Sequence, residues 1–340
     1  MPELRQDIVT GQWVVVATER AKRPTDFAKP REATKPDDLE KCPFCPGHEH
    51  MTPLEVLSVR PEDGEPNTSG WQVRVFPNKY PAFATGEEVK PSTALSPRKP
   101  ADGSHEVIVH SPDHCASLAT MPAEEVELVL RVYRHRYQAN CNDLHVKYVH
   151  IIVNHGRESG ASLEHSHSQL FGVPLVPQLI TEELEGARRH MDSTGECVFC
   201  RILSEELSAC ERVVASNREF VAIAPFASKL PFELWILPRR HQQSFDLIDD
   251  EQLAEFARML REVLGSYYRE FDNPPFNYYI HTAPCDGNVY PYYHWHLEVM
   301  PKLTTPGSFE LGTEMMINIT TPENAASFLT ISTSSPEDRG

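Results

Sequence analysis

Residues 154–169 read Asn154-His-Gly-Arg-Glu-Ser-Gly-Ala-Ser-Leu-Glu-His-Ser-His-Ser-Gln169. The preceding run, Val146-Lys-Tyr-Val-His-Ile-Ile-Val153, is rich in β-branched residues and predicts a strand. Gly156 and Gly160 open a loop, after which residues 163–170 resume an extended pattern. Side chains alternate between the faces of a strand, so His165, His167 and Gln169 project together while Ser166 and Ser168 point the other way. Two imidazoles and an amide behind a Gly-Ala-Ser turn suit phosphoryl chemistry. An imidazole can attack phosphorus or bind a metal, and an amide and turn N–H groups can hold phosphoryl oxygens. The plainer alternative is a solvated strand that happens to carry histidines.

The chain has 340 residues, enough for two domains of roughly 150 residues each. A formal charge of −17 argues against a nucleic-acid partner, which needs a basic footprint, but leaves room for a small phosphorylated substrate. The N-terminal residues lack a signal pattern and no apolar run reaches membrane-spanning length, so the expectation is a cytoplasmic protein without membrane contact.

Outward from the central stretch, the chain repeats itself. Strands are expected at residues 8–18, 55–60, 71–77 and 106–110, and a helix from Met121 to about residue 139. That helix buries Val126, Leu128, Val129, Val132, Tyr133 and Tyr137. Residues 24–41 and 84–104 read as loops, and residues 174–194 as an exit and a connecting helix. Further strands follow at 212–215, 220–224 and 232–238. A helix at 246–270 carries Leu253, Phe256, Met259, Leu260, Val263 and Leu264 as its apolar stripe, and a strand at 276–281 precedes His294-Trp-His-Leu-Glu298. Both halves run Cys-x-x-Cys, strands, His, helix, strand, loop, His-x-His, which is a duplicated domain. The fold class is therefore α+β, two tandem units at 1–178 and 179–330, each an antiparallel sheet with a packed helix, before a polar tail at 331–340.

The repeat carries metal chemistry. Cys42 and Cys45 are followed by His114 and His165; Cys197 and Cys200 by His241 and His294. The histidine intervals, 51 and 53 residues, place the two sets equivalently. Each is a tetrahedral zinc set, giving two zinc ions per chain. Redox-active thiols are the rival reading, but no thioredoxin-like βαβ unit surrounds either pair. A zinc ion on His165 would hold the strand two residues before His167 and preorganise that imidazole. In the second half, Ala283-Pro-Cys-Asp-Gly-Asn-Val-Tyr-Pro-Tyr-Tyr293 puts Asp286 and tyrosines where the first half has Gly160-Ala-Ser162, and Glu298 replaces the amide of Gln169. Carboxylates repel a phosphoryl group, so the reaction centre is expected in the first half only.

The segment Ser162-Leu-Glu-His-Ser-His-Ser-Gln169 resembles the active-site signature of the galactose-1-phosphate uridylyltransferase family, a branch of the histidine-triad superfamily built from two fused units. Trp13-Val-Val-Val, Arg20-Ala-Lys-Arg-Pro24, Cys42-Pro-Phe-Cys45, Val75-Phe-Pro-Asn78 and Ser111-Pro-Asp-His114 resemble its other motifs, and Phe309-Glu-Leu-Gly-Thr313 resembles its C-terminal loop. Uridylyltransferases of that family carry proline where this chain has Ser166, and Asn-Pro where it has Leu163-Glu164. The form found here is more similar to a subgroup that includes an ADP-glucose phosphorylase and bacterial enzymes of the uridylyltransferase type.

The resemblance implies a double displacement in which His167 attacks the α-phosphorus of a nucleotide sugar, with Gln169 and Ser162 on the phosphoryl oxygens. It also implies a substrate-binding set of Arg20, Arg23, Phe44, Asn78, Asn154, Gly160 and Ala161. The two arginines would bind the sugar phosphate, and Phe44 and Asn78 would line the nucleoside pocket. The first reading is uridylyl transfer from UDP-glucose to galactose 1-phosphate in a homodimer. The second is an ADP-glucose phosphorylase using inorganic phosphate, and the third a non-catalytic nucleotide-binding protein.

Overall fold

Strand-forming runs and amphipathic stripes recur along the chain, and the structure, a computed structural model, describes residues 1–18, 36–61, 64–86, 89–90 and 92–330 (backbone only at 36–38). In chain order the elements are β1 (Glu3–Gln6), β2 (Trp13–Val16), α1 (Pro36–Lys41), β3 (Leu57–Val59), β4 (Val73–Pro77), β5 (Ser104–Val109) and α2 (Ala123–Cys141). Then come β6 (Tyr148–His155), β7 (His167–Val173), α3 (Gln178–Thr194), α4 (Val198–Ala209), β8 (Val213–Ser216), β9 (Phe220–Ile223) and β10 (Leu234–Pro238). The last are α5 (Asp250–Glu270), β11 (Phe276–His281), β12 (His296–Pro301), α6 (Ser308–Thr313), β13 (Ile317–Asn318) and α7 (Pro322–Leu329).

The fold is α+β, and its two repeats share a sheet. Ten strands run β3-β4-β5-β7-β6-β11-β12-β10-β9-β8, so the order reads alike from either edge. Two separate sheets were expected. Instead β6 and β11 pair antiparallel from Phe276↔His155 to Ile280↔Ile151 and fuse them. A strand edge exposes unpaired N–H and C=O groups, and this pairing satisfies the inner edge of each repeat. A small second sheet, β1-β2-β13, ties the N-terminal hairpin to the C-terminal segment.

One face of the large sheet is covered by α2 and α5. Val126, Val129, Leu130, Val132, Tyr133 and Tyr137 recur at helical spacing and are buried, as are Leu253, Phe256, Met259, Leu260, Val263 and Leu264. They join Val75, Ile108, Ile151, Leu170, Ile236, Ile280 and Leu297 of the strands in one apolar cluster. Each such side chain contributes roughly 1.5–3 kcal/mol on leaving water. Asp249 caps α5 by accepting from Gln252 N–H, and the Gln252 side chain returns the bond.

Four local expectations change. Helix α4 occupies residues expected to lead straight into a strand; Val198, Phe199, Ile202 and Leu203 have helical spacing, and Cys197 and Cys200 lie one turn apart. Residues 36–41 are helical rather than loop. The motif at 309–313 lies in a short helix. Strand β7 begins at His167, because His165 is turned off the ladder by its own contacts, described below.

Helix α3 presses on the N-terminal segment at Gly186, where an added Cβ would lie 1.7 Å from the Val9 carbonyl oxygen. Alanine is the better helix former by about 1 kcal/mol. Gly186→Ala is nevertheless expected to destabilise the protein by about 1–3 kcal/mol, because backbone must yield to backbone. Thermal denaturation followed by circular dichroism checks this; a raised Tm would show that α3 does not press on Val9.

Candidate active site and metal centres

The face opposite α2 and α5 carries the polar chemistry. In the first half Cys42, Cys45, His114 and His165 offer ligand atoms all within 4.8 Å of one another. Cys42 Sγ lies 3.5 Å from His165 Nδ1, and Cys45 Sγ 3.4 Å from His114 Nδ1 and 3.6 Å from His165 Nδ1. Zinc bonds of about 2.3 Å to sulfur and about 2.0–2.1 Å to nitrogen, at the tetrahedral angle, put S and N roughly 3.6 Å apart, so the donor set fits. His165 Nε2–H donates to the Ser111 carbonyl at 2.7 Å, which leaves Nδ1 as the lone-pair nitrogen. Burial, with the neighbouring Cys42 adding to it, pushes the Cys45 thiol up to about 12. Two thiolates share this space comfortably only with a cation between them.

The second half repeats the arrangement with Cys197, Cys200, His241 and His294. Cys200 Sγ is 3.4 Å from His241 Nδ1 and 3.5 Å from His294 Nδ1, and His241 Nε2–H donates to the Pro291 carbonyl at 3.0 Å.

His167 opens β7, paired with Val109 of β5, and is buried. Its Nδ1–H donates to the His165 carbonyl at 2.9 Å, so Nε2 carries the free lone pair. Burial lowers the pKa of His167, which keeps the ring neutral and nucleophilic near pH 7. The Phe44 ring stands edge-on to it at 5.2 Å. Behind the strand, Ser166 Oγ lies 2.9 Å from His110 Nδ1, and His110 Nε2 lies 3.1 Å from the Tyr133 hydroxyl. Tyr133 in turn meets Tyr278 across the β6–β11 seam at 2.7 Å.

Gln169 Oε1 lies 2.8 Å from His105 Nε2, and Asn78 Nδ2 lies 3.1 Å from the same nitrogen, so the geometry brings Asn78 and Gln169 together. The loop after β6 turns on Gly156 and Gly160, both at positive φ, and Ala161 N–H closes it on the Gly156 carbonyl at 3.2 Å. Asn154 accepts from Asn277 Nδ2 at 2.7 Å, and the same nitrogen donates to the Ser159 carbonyl, so the second half braces this loop. Ala161 and the exposed Ser162 line a cavity of about 150 Å³ with Cys42 and His114; His167 and Gln169 do not line it. Arg20 and Arg23 lie outside the described residues.

Sequence reasoning missed a third cluster. Glu183 of α3, His281 of β11, and His296 and Glu298 of β12 are all buried with ligand atoms within 4.8 Å of one another. His296 and Glu298 occupy the place in the second half that His167 and Gln169 hold in the first, and Glu183 and His281 close around them. Glu183 Oε1 is 2.9 Å from His281 Nδ1 in an ion pair too bent for a hydrogen bond, and Glu298 Oε1 is 3.4 Å from His296 Nε2. Tyr293 donates to Glu183 at 2.6 Å and Tyr279 to Glu298 at 2.8 Å. Of the second loop's tyrosines, Tyr293 is buried, while Tyr290 and Tyr292 are half-buried against the same apolar cluster. The repeat already sets Glu298 against Gln169; the remaining signal is that a buried carboxylate calls for a cation, here His281 or His296.

Two family models match the chain. The galactose-1-phosphate uridyl transferase N-terminal domain matches residues 1–177 and its C-terminal domain residues 157–332. The ADP-glucose phosphorylase of Arabidopsis thaliana is 34% identical over 330 residues, covering 96% of this chain and 91% of that protein. A galactose-1-phosphate uridylyltransferase of Thermotoga maritima is 30% identical over 336 residues, covering 96% of this chain and 97% of that protein. The crystal structure of the Arabidopsis thaliana ADP-glucose phosphorylase with bound ADP-glucose has a TM-score of 0.81 and 32% identity, covering 98% of this chain and 100% of that chain.

The third cluster makes stability depend on pH. Burial would raise the pKa of Glu183, but the His281 charge lowers it below the ordinary 4.5. Burial would lower His281, but Glu183 and Glu298 raise it above 6.5. The carboxylate's contribution is present above pH 4.5 and lost as pH falls through the folded value. The histidine's is full below pH 6.5 and lost as pH rises through its raised value. Glu183→Gln is therefore expected to lower Tm most between these limits, with the gap closing on acidification. Thermal unfolding of both proteins across that range checks it; a pH-independent gap would show that Glu183 contributes packing rather than charge.

Proposed function

The chain belongs to the galactose-1-phosphate uridylyltransferase family, and on that premise we propose that it moves a nucleoside monophosphate from a nucleotide sugar to a phosphate acceptor through a covalent nucleotidyl-histidine at His167. The observation that carries the reading is the tautomer of His167. With Nδ1–H bound to the His165 carbonyl, Nε2 presents its lone pair from a neutral, buried ring.

In the first step the Nε2 lone pair forms a bond to the α-phosphorus. The P–O bond to the sugar phosphate breaks, and its electron pair leaves with the hexose 1-phosphate. In the second step an acceptor phosphate oxygen attacks the same phosphorus, and the P–N electrons return to Nε2. The His165 carbonyl steadies the imidazolium-like charge that Nε2 acquires between the steps. Gln169 and Ser162 hold the non-bridging oxygens, while Gly160 and Ala161, whose N–H groups are bonded within the turn, shape the loop beside the substrate. Phe44 and Asn78 line the nucleoside pocket, Asn154 braces the loop, and Arg20 and Arg23 neutralise the sugar phosphate. Such transfer is mostly positioning and charge stabilisation.

Zinc is the metal we infer for both Cys₂His₂ groups, two ions per chain; when bound it supplies a redox-inert tetrahedral anchor for the segment that ends in His167. UDP-glucose as donor and galactose 1-phosphate as acceptor form the first reading, supported by the family models over both halves. A second reading, phosphorolysis of ADP-glucose, is favoured by the 34% identity to a protein with that activity.

Elemental analysis of protein purified without added metal is expected to give two zinc ions per chain, and His165→Ala should retain one and melt earlier. Less than one zinc in the unaltered protein would overturn the assignment. UDP-glucose or ADP-glucose labelled at the α-phosphate should leave acid-labile, base-stable label on the chain without acceptor, and His167→Ala should abolish it. The donor that labels identifies the base, and discharge by galactose 1-phosphate or by inorganic phosphate separates transferase from phosphorylase. Folded, zinc-loaded protein that takes no label from either donor would refute the covalent mechanism.

A further inference from the structure

His105 belongs to none of the motifs above, yet it touches two of the residues given roles in the pocket. It lies on β5, 7% exposed, with its ring stacked on Phe171 at 4.1 Å and an interplanar angle of 26°. Strand register pairs His105 with Phe171 and Val107 with Gln169, so His105 and Gln169 are diagonal neighbours on one face.

The proton on this ring can be located by elimination. The backbone N–H of Ala82 donates to His105 Nδ1 at 3.1 Å, and an amide N–H cannot accept, so Nδ1 must carry a lone pair. A neutral imidazole has one ring proton, which therefore sits on Nε2. Burial lowers the pKa of His105, which favours that neutral form. Nε2–H then donates to Gln169 Oε1 at 2.8 Å. The Gln169 carbonyl is consumed, and its amide NH₂ is the half left for a ligand.

Asn78 is sorted the same way. Its Oδ1 accepts the Tyr80 backbone N–H at 2.9 Å, so the atom 3.1 Å from His105 Nε2 is its NH₂. Two donors meet there, no hydrogen bond forms, and the Asn78 amide hydrogens remain available.

We infer that His105 is a positioning residue that fixes the Gln169 side-chain amide with its NH₂, and not its carbonyl, toward the transferring phosphoryl group. The inference rests on the role proposed above for Gln169. An amide free to turn over would present a carbonyl oxygen to phosphoryl oxygens, where like partial charges repel. The imidazole, held by a backbone N–H, thus makes the Gln169 amide a donor, while the Tyr80 N–H does the same for Asn78.

The test is a double-mutant cycle read in the single-turnover rate of nucleotidyl transfer to His167. His105→Phe keeps a ring over Phe171 and removes the donor, and should slow transfer by about tenfold with little change in donor KM. Gln169→Ala should slow it further, and the double variant should match Gln169→Ala alone, because His105 acts through that amide. His105→Gln, whose amide can place an N–H near the lost Nε2–H, should recover much of the rate. An unchanged His105→Phe rate, or losses that multiply in the double variant, would overturn the proposal. Imidazole ¹⁵N NMR of the full chain, assigned by difference from His105→Phe, is independent of turnover. A proton on Nε2 supports the orientation, and a proton on Nδ1 overturns it. If the unaltered protein takes no label, the functional reading fails by itself and the ring proton still decides the orientation.

Discussion

The antiparallel pairing of β6 with β11 is the contact on which the rest of the architecture depends. It turns two five-stranded units into one ten-stranded sheet and satisfies a backbone edge on each. Side chains reinforce it on both faces. Tyr133 meets Tyr278 in the core, and Asn277 reaches over to hold Asn154 and the Ser159 carbonyl. The loop that follows β6 therefore owes part of its shape to a strand more than a hundred residues later. Helices α2 and α5 then have a continuous surface to cover, and their stripes merge into a single cluster.

On the opposite face the two units diverge. Both keep a Cys₂His₂ group and, two residues beyond its last histidine, a further imidazole whose Nδ1–H side faces that histidine's carbonyl. In the first unit that imidazole sits beside amides, which are neutral donors. In the second, α3 lies across the equivalent position and fills it with Glu183, while Tyr279 and Tyr293 bind the carboxylates. The same scaffold thus holds an imidazole flanked by neutral amides on one side and a closed ionic core on the other. The difference comes from one amide-to-carboxylate exchange and one connecting helix.

Local periodicity and ligand spacing were legible without coordinates. The stripe of α5 is buried at each residue named for it, and the Cys and His positions of both metal groups converge. In α2 the stripe omitted Leu130, which is buried, and included Leu128, which is only partly so. What could not be read was anything set by contacts between distant strands. His105 looks like an ordinary strand residue until β5 lies against β7 and brings it to Gln169. Glu183 lies in what reads as a linker helix, and its partner His281 is far along the chain. The seam escaped notice because a strand's pairing partner is a property of the assembled sheet, not of the strand's own composition. The position of His165 off the ladder reflects a rival demand, since its convergence with Cys42 and Cys45 and its bond to the Ser111 carbonyl outweigh the extended preference of its neighbours.

The mirror-like order of the strands has a consequence for how such a chain can change. In a dimer of identical subunits with an isologous interface, each substitution is made twice, and a carboxylate introduced at one centre arrives at the other as well. Here the equivalent positions, 169 and 298, are encoded separately. An acid that would spoil a phosphoryl pocket could settle in one unit without touching its counterpart. Covalent linkage of the repeats thus frees each from the symmetry that their shared sheet still displays, allowing one to keep an amide beside its imidazole while the other gathers carboxylates into a buried cluster.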